Sequence, residues 1–189
     1  MQLVLASASP QRRAILERLG VPFTVRVPGV AELEQGPPEQ VALDNARRKA
    51  AAARVPGADE LVLGCDTLVV LNGTIYGKPA GEQDARETLG ALSGATHEVL
   101  SGLVLLLPGS WLQDAERTAV ARTAVSVRAL EPGLLEWYLA TVEWRCRAGG
   151  YGIQGAGAAL VRAVSGDYEN VVGLPLASLL DIYPQLLAR

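Results

Sequence analysis

LVLGCDTLVVLNGTIYGKP, residues 61–79, is the segment that decides the fold. Its two apolar runs, residues 61–63 and 68–71, are typical of strands buried in a core. Asp66 lies between them, and an ionised carboxylate in a buried strand costs several kcal/mol unless it is paired or holds a metal. Asn72-Gly73 then predicts a type I′ hairpin turn that reverses the chain.

The returning arm of this hairpin leads to Lys78. One acid, Asp66, and one base can therefore face the same site from adjacent strands. The same pattern also fits a structural aspartate at a strand end with Lys78 solvated on a loop. The segment alone does not decide between these two interpretations.

Length, composition and charge limit the class of protein. A chain of 189 residues that is 49% hydrophobic predicts one domain over residues 1–189, with two lobes and no separable linker. No apolar run reaches the roughly 18 residues of a membrane span, and no export signal is apparent. A net charge of −3 without a basic block argues against a nucleic-acid partner. Cys65 and Cys146 lack metal-site or disulfide spacing, so we expect a protein of the reducing cytoplasm. The short apolar runs predict no membrane partner.

The basic residues are strongly biased towards arginine. Of 17 basic residues only Lys49 and Lys78 are lysines, and lysine is favoured where a compact, strongly hydrated point charge is needed. Lys49 falls within a helix predicted at residues 38–54. The periodicity of that helix alone favours a solvated position for Lys49.

A second feature lies near the start of the chain. Residues 11–19 predict a helix, with Ser9 as its N-cap and Pro10 as its first residue. The free N–H groups and dipole of a helix start favour phosphate, and Arg12 and Arg13 in the first turn add donors. Many ordinary helices carry a serine cap and surface arginines, so a plain surface helix is the other interpretation.

The remaining elements follow from periodicity. Strands are predicted at residues 2–6, 23–27, 96–107, 111–128 and 159–164, with Pro108-Gly109 joining the two longest. Further helices are predicted at residues 80–92, 131–140 and 176–187. His97, the only histidine, begins a strand without a second histidine or a cysteine nearby, so we interpret it as structural.

Residues 150–155 spell G-x-G-x-x-G, the fingerprint of dinucleotide-binding folds. This segment follows a helix and precedes a strand, which is the reverse of the order that such folds require. The glycines instead predict a close approach of the backbone to a ligand or another strand. Gln154 in this turn can read a base edge, because its amide is both donor and acceptor.

These parts suit the hydrolysis of a polyphosphate. A carboxylate can activate water while lysine, arginine and a divalent metal offset the phosphate charge. The sequence contains no G-x-x-x-x-G-K-[ST] motif, which excludes a P-loop protein. It contains no Ser/His/Asp grouping either, which argues against an enzyme that hydrolyses acyl groups.

Five segments also occur in the order of one known family. They are LASASPQRR (5–13), GCDTLVVLNGTIYGKP (64–79), LSGATHEVLSG (92–102), AGGYGIQGAGA (148–158) and NVVGLPL (170–176). On these segments, which span nearly the whole chain, the sequence resembles the Maf-like nucleoside triphosphate pyrophosphatases.

The resemblance implies both a fold and an activity. The fold would be α/β, with a mixed, twisted sheet flanked by helices and two lobes around a substrate cleft, as in inosine triphosphatases. The activity would be hydrolysis of a nucleoside triphosphate to monophosphate and pyrophosphate with Mg²⁺, Mn²⁺ or Co²⁺, in the cytoplasm. The segment AGGYGIQG, with its tyrosine, resembles the same segment in the branch of the family that acts on dTTP and UTP. It is less similar to the branch that acts on 7-methyl-GTP.

The resemblance also implies roles for particular residues. Asp66 matches the proposed proton acceptor, and Asp66 and Glu32 match the metal region. Gln11, Thr67 and Gln154 match positions associated with substrate choice. The implied substrate-binding residues are Ser7, Gln11, Arg12, Lys49, Thr67, Lys78 and Gln154.

The sequence departs from the family pattern at two places. Gln11 stands where the first of two arginines is usual, and Cys146-Arg147 stands where an Asp-Lys pair is usual. Arg147 keeps the charge but not the geometry of lysine, so phosphate positioning and nucleotide preference are both affected.

Three alternatives stay open at this point. Modified or non-standard nucleotides are a second substrate class, and a homodimer is an alternative to a monomer. A nucleotide-binding regulator of cell division and septum formation, with incidental turnover, is the rival function. The presence of Asp66 with both lysines favours turnover.

Overall fold

The computed structural model describes residues 2–108 and 116–187. Its strands are β1 (Gln2–Leu5), β2 (Phe23–Val25), β3 (Glu60–Leu71), β4 (Thr74–Tyr76), β5 (Thr96–Leu106), β6 (Glu116–Val127) and β7 (Val161–Ser165). Its α-helices are α1 (Pro10–Arg18), α2 (Pro38–Ala53), α3 (Glu82–Leu92), α4 (Pro132–Ala140), α5 (Tyr168–Val172) and α6 (Leu176–Ile182). Short 3₁₀ helices occupy Ala148–Gly150, Ala156–Leu160 and Pro184–Leu187. None of the described helices is both long and apolar enough to cross a membrane.

The strands form one mixed sheet in the order β2-β1-β3-β5-β6-β7, and β4 pairs with β3 outside this path. β1 is parallel to β2 and β3, whereas the other pairs are antiparallel. Helix α2 packs on one face of the central strands, and α1 and α6 pack on the other. The predicted mixed α/β fold is therefore confirmed.

The two apolar runs predicted as separate strands form one continuous strand, β3. Asp66 does not interrupt the strand because its carboxylate is paired with polar groups of α2. Successive side chains of a strand point to opposite faces. Val62 and Asp66 accordingly face α2, whereas Leu63 and Thr67 face α1 and the turn after α5.

The hairpin that follows β3 has the predicted turn. Leu71 pairs with Thr74, and Asn72 and Gly73 have φ values of 52° and 79°. Positive φ at both central residues is the requirement of a type I′ turn.

Two glycines let α2 lie directly on the sheet. Gly64 and Gly102 are on β3 and β5, and Gly102 pairs with Asp66. A Cβ at Gly64 would overlap the carbonyl oxygen of Ala46, and one at Gly102 would overlap that of Ala42. This close approach brings the polar residues of α2 within reach of Asp66.

Some element boundaries differ from the sequence prediction. β2 ends at Val25 rather than at residue 27, and β7 begins at Val161 rather than at residue 159. The closing helix ends at Ile182 because Pro184, which has no N–H, cannot continue it.

Helix α5, with Asp167 as its N-cap, was not predicted, since five residues are too few to show a helical period. The predicted turn at Pro108-Gly109 and strand residues 111–115 lie in part outside the described residues.

Two hydrophobic regions lie at opposite ends of β3 and β5. One contains Leu5, Ile15, Leu63, Leu103 and Leu179. The other contains Val69, Leu89, Val99, Tyr138 and Leu160. A cavity of about 710 Å³ is lined by residues adjoining both regions, whereas the division into two lobes stays a prediction.

Candidate active site

All nine residues to which the family resemblance gives a site role line one cavity. They come from the loop between β1 and α1, the first turn of α1, the loop before α2, α2 itself, β3, the loop after β4 and the glycine-rich segment. The nine are Ser7, Gln11, Arg12, Glu32, Lys49, Asp66, Thr67, Lys78 and Gln154. The fold therefore gathers side chains that are distant in sequence around one space, whereas the individual role of each residue stays a prediction.

Asp66 lies at the inner side of the cavity and is only 4% exposed. Its Oδ1 is 2.5 Å from Lys49 Nζ, and its Oδ2 accepts a hydrogen bond from Asn45 Nδ2 at 2.9 Å. Burying a carboxylate without partners of this kind would cost several kcal/mol. Asp66 is thus stabilised by α2 while still facing the cavity.

Lys49 is buried, with 7% exposure, so the solvated position favoured by the helical period was wrong. The period could not reveal that α2 lies over Gly64 and Gly102 and carries Lys49 to Asp66. Lys49 Nζ also lies 2.6 Å from Glu32 Oε1. One ammonium therefore joins two carboxylates from separate parts of the chain.

Glu32 forms ion pairs with both lysines. Its Oε2 accepts a hydrogen bond from Lys78 Nζ at 3.1 Å. Partial burial alone would raise the pKa of Glu32, but the hydrogen bond and charge of Lys49, with those of Lys78, outweigh burial and lower the pKa to about 2. Glu32 is consequently ionised at every physiological pH.

The guanidinium of Arg12 is held by three parts of the fold. Its Nε donates to Gly173 O at 2.7 Å, its Nη1 to Ser7 Oγ at 3.0 Å and its Nη2 to Thr67 Oγ1 at 3.1 Å. These bonds use three of the five N–H groups of an arginine. Within the described part of the chain, Nη1 and Nη2 each keep one N–H group that can donate a hydrogen bond to a phosphate oxygen.

The hydroxyl of Thr67 takes part in the same network. It lies 2.8 Å from Ser101 Oγ and 3.3 Å from Gly173 O, in addition to its bond from Arg12. One donor and two acceptor positions are all that a threonine hydroxyl offers. In this ligand-free arrangement Thr67 therefore fixes the cavity wall, and a contact with substrate would have to replace one of these bonds.

The start of α1 has the predicted cap. Ser9 accepts a hydrogen bond from Arg12 N, and Pro10 is the first helical residue. Gln11 is half-buried, and its Oε1 accepts a hydrogen bond from Ser9 Oγ at 3.1 Å. Arg13 is not brought to the cavity, because it is exposed and pairs with Glu17 on the outer face of α1.

The opposite wall is formed by residues 146–155. Gly149 has a φ of 67° and donates to Gly77 O at 3.0 Å, which fastens this segment to the loop of Lys78. A Cβ at Gly155 would overlap the carboxylate of Glu143, so glycine lets the turn with the exposed Gln154 approach closely. The glycines thus serve the close approach of backbone that the sequence predicted.

Tyr151 also lines the cavity, and its hydroxyl lies 2.8 Å from His97 Nε2. His97 itself is buried behind this wall, which agrees with its interpretation as structural. Burial lowers the pKa of His97 to about 4. A neutral His97 therefore holds the hydroxyl of Tyr151, a residue of the cavity wall.

The family assignment follows from the whole length of the chain. The sequence model described as "Maf-like protein" matches residues 2–186. The chain belongs to the Maf-like protein family. Members of this family that resemble it closely are named dTTP/UTP pyrophosphatase in Symbiobacterium thermophilum (44% identity, covering 97% of this chain and 93% of the relative) and Moorella thermoacetica (46%, 96% and 93%). The relative with that name in Pyrococcus furiosus is 41% identical, over 96% of this chain and 93% of its own.

Two solved structures are similar to part of this chain at low identity. One is a nucleoside-triphosphatase, or dITP/XTP pyrophosphatase, from Mycobacterium abscessus, with 21% identity and a TM-score of 0.41 over 67% of this chain and 74% of that chain. The other is the Ham1 protein of Staphylococcus aureus, with 15% identity and a TM-score of 0.46 over 67% of this chain and 72% of that chain.

The carboxylates of this Maf-like cavity suit a hard divalent cation that is shared with a substrate. The described residues contain no cluster of three or more histidine, cysteine, aspartate or glutamate side chains that would enclose a metal alone. Magnesium is nevertheless usually held by one or two carboxylates together with water and substrate phosphates. Asp66 and Glu32 both contact Lys49 Nζ, and they are the two carboxylates of the cavity that could form such a pair.

Sequence reasoning missed Asn45. It lies four residues before Lys49, one turn away on the same face of α2, and it is buried. A signal was present, because an asparagine on an otherwise alanine-rich apolar face needs a buried hydrogen-bond partner. Asp66 was the available candidate.

Proposed function

We propose that this protein is a nucleoside triphosphate pyrophosphatase that hydrolyses dTTP and UTP to the monophosphate and pyrophosphate. The observation that supports this most is the buried Asp66 in a cavity that Arg12, Lys49, Lys78 and Arg147 also line. A carboxylate in a cavity lined by several cationic side chains suits the activation of water beside a bound polyphosphate. Full-length relatives that carry this name support the nucleotide and the reaction.

In this proposal Asp66 is the proton acceptor. Asn45 holds its Oδ2, so Oδ1 is the oxygen left to face a water molecule once Lys49 moves away. The incoming triphosphate supplies the reason for that movement, because its oxygens offer Lys49 an alternative anionic partner. The general base and a cation for the phosphates thereby become available together.

The remaining cations would hold the phosphate chain. Lys78 is suited to this role because its side chain is 55% exposed and pairs only with Glu32 in the described part of the chain. Arg12 offers two N–H groups from a fixed position. Fixed donors stabilise the charge that develops on the phosphate oxygens during hydrolysis without reorganising.

A divalent ion, when bound, would neutralise phosphate charge and polarise the phosphorus centre. Asp66 and Glu32 are the residues that we propose hold it, with Mg²⁺, Mn²⁺ and Co²⁺ as the cations to test. Glu32 is suited to this because its lowered pKa keeps it ionised.

Nucleotide choice would fall to Gln11, Thr67 and Gln154. Gln11 lies at the helix start, and Gln154 is exposed on the opposite wall, so the two side chains lie on opposite sides of the cavity. The Gln154 amide can pair with a base edge that offers both donor and acceptor, as uracil and thymine do. We place the reaction in the cytoplasm, where the free Cys65 and Cys146 stay reduced.

The test is to identify the products formed from each of dTTP, UTP, CTP and GTP with Mg²⁺, Mn²⁺ or Co²⁺. Chromatography of the nucleotide and an assay for pyrophosphate should show monophosphate and pyrophosphate in equal amounts from dTTP and UTP. Diphosphate with orthophosphate would contradict the proposed reaction. Tight binding of a nucleotide without turnover would favour the regulatory alternative instead.

A further inference from the structure

Asn45 on α2 is 2% exposed, and its side-chain amide forms three hydrogen bonds. Nδ2 donates to Asp66 Oδ2 at 2.9 Å and to Leu33 O at 3.0 Å. Oδ1 accepts from Leu33 N at 2.7 Å. Both N–H groups of the amide and one acceptor position are thus used, by two segments that are far apart in sequence.

The segment on the other side of this amide is irregular. Between the end of β2 at Val25 and the start of α2 at Pro38 there is no regular secondary structure. Among the described residues, no backbone-to-backbone hydrogen bond attaches residues 27–36 to another element. The side chain of Leu33 is exposed, so apolar burial does not hold the segment there. The paired bonds from Asn45 are consequently the main backbone anchor of this loop.

Glu32 directly precedes the anchored residue. With Leu33 fixed on α2, the Glu32 carboxylate reaches Lys49 Nζ, which also contacts Asp66. The same Asn45 amide therefore sets the place of one acid through the backbone and of the other acid through a direct bond.

We propose that Asn45 is a positioning residue that fixes Asp66 and the loop bearing Glu32 relative to each other. It directs Asp66 Oδ1 into the cavity by holding Oδ2, and it keeps Glu32 at Lys49 by holding Leu33. The consequence for catalysis rests on the proposed function, whereas the anchoring of the loop does not.

The loop anchor can be measured without substrate. In Asn45→Ala, hydrogen–deuterium exchange of the Leu33 amide should speed up by about tenfold or more, because two hydrogen bonds at that residue are lost. The matched control is Asn170→Ala. Asn170 is also fully buried and donates to Val99 O and Thr123 Oγ1 away from the loop. If both variants speed up exchange at Leu33 equally, the effect is general destabilisation and the proposal fails.

Asn45→Asp is a second variant, which tests the bond to Asp66 while keeping the bond that Leu33 N donates. An aspartate keeps the acceptor for Leu33 N, but it removes the donors to Asp66 Oδ2 and Leu33 O and places a second carboxylate beside Asp66. Exchange at Leu33 should therefore stay within about threefold of wild type, while kcat falls on the order of 10²-fold and KM changes little. Unchanged kcat in this variant would overturn the role towards Asp66.

A double-mutant cycle tests the link to Glu32. If Asn45 acts partly through Glu32, Asn45→Ala should reduce kcat/KM less in a Glu32→Gln background than in wild type. Equal losses in both backgrounds would contradict the coupling. An inactive wild-type enzyme would refute the proposed function alone, since the exchange experiment still decides the anchor.

Discussion

Lys49 Nζ lies 2.5 Å from Asp66 Oδ1, in a part of the molecule from which solvent is nearly excluded. Glu32 shares the same ammonium at 2.6 Å. Lys78 pairs with the other oxygen of Glu32, so the two carboxylates are balanced in charge by two lysines. The arrangement predicts that Lys49 exchanges partners when substrate binds.

Asp66→Asn should reduce kcat on the order of 10²–10⁴-fold, the usual contribution of a general acid or base. The variant should also lose about 1–3 kcal/mol of unfolding free energy, because one amide oxygen cannot serve both Lys49 and Asn45. Steady-state kinetics and urea denaturation measure the two effects. The control is Asp44→Asn on α2, which pairs with Arg47 outside the cavity and should keep wild-type kcat.

Near wild-type turnover in Asp66→Asn would return this residue to the structural interpretation that the sequence left open. Loss of stability without loss of turnover would lead to the same conclusion.

Lys78→Ala should lower kcat/KM by about 10- to 100-fold, corresponding to one lost charge-assisted contact with phosphate. Its thermal midpoint should hardly change, since exposed ion pairs such as Lys78–Glu32 contribute about 0–1 kcal/mol. Arg13→Ala also removes an exposed cation, but one whose partner is Glu17 on the outer face of α1. If the two variants lose kcat/KM equally, only the net charge of the protein matters and Lys78 has no specific contact.

Local chemistry made several parts of this structure predictable. Asn72-Gly73 can adopt the positive φ values of its turn without outside help, and Ser9 with Pro10 starts α1 by its own hydrogen bond and fixed φ. The site residues could be found because the family resemblance points to individual positions. Their roles, and the organisation as one domain, stay predictions.

Long-range contacts explain what the sequence could not show. The burial of Lys49 and the bonds of Asn45 depend on Gly64 and Gly102, which lie on strands that follow α2 in the chain. β3 is continuous because Asp66 finds partners on α2. A periodicity calculated along one segment contains no information on such partners.

His97 should make stability depend on pH. Its pKa is lowered from 6.5 to about 4 by burial, and within the described residues its Nδ1 has no hydrogen-bond partner that could accept a second proton. The unfolded chain takes up this proton below pH 6.5 whereas the folded protein does not, so stability is lost as pH falls from 6.5 towards 4. Between pH 7 and pH 5 this amounts to about 2 kcal/mol.

The measurement is urea denaturation of wild type and His97→Gln at both pH values. Because His97 is the only histidine, the difference between the two proteins isolates its contribution from that of the carboxylates. A wild type that loses no more stability than His97→Gln would contradict the prediction. A single transition seen by tryptophan fluorescence and circular dichroism would also support one cooperative domain.

Gln11→Arg should strengthen the use of triphosphates. Gln11 is half-buried in the first turn of α1 and lines the cavity beside Arg12, so an arginine there would add a full charge where glutamine offers a neutral amide. One new charge-assisted contact is worth about 1.5–3 kcal/mol, or roughly 10- to 100-fold in kcat/KM. The gain should be similar for dTTP, UTP, CTP and GTP if the new contact is with phosphate, and unequal if position 11 reads the base.

Gln83→Arg is the matched control, since it adds the same charge on the exposed face of α3. It measures the effect of net charge on the encounter with a polyanion, which falls as salt is raised. Gln11→Arg should exceed this control at 0.15 M salt as well as at low salt, because a contact inside the cavity is screened less. If the two variants match each other at both salt concentrations, Gln11 neither holds nor reads the substrate and belongs only to the surface of α1.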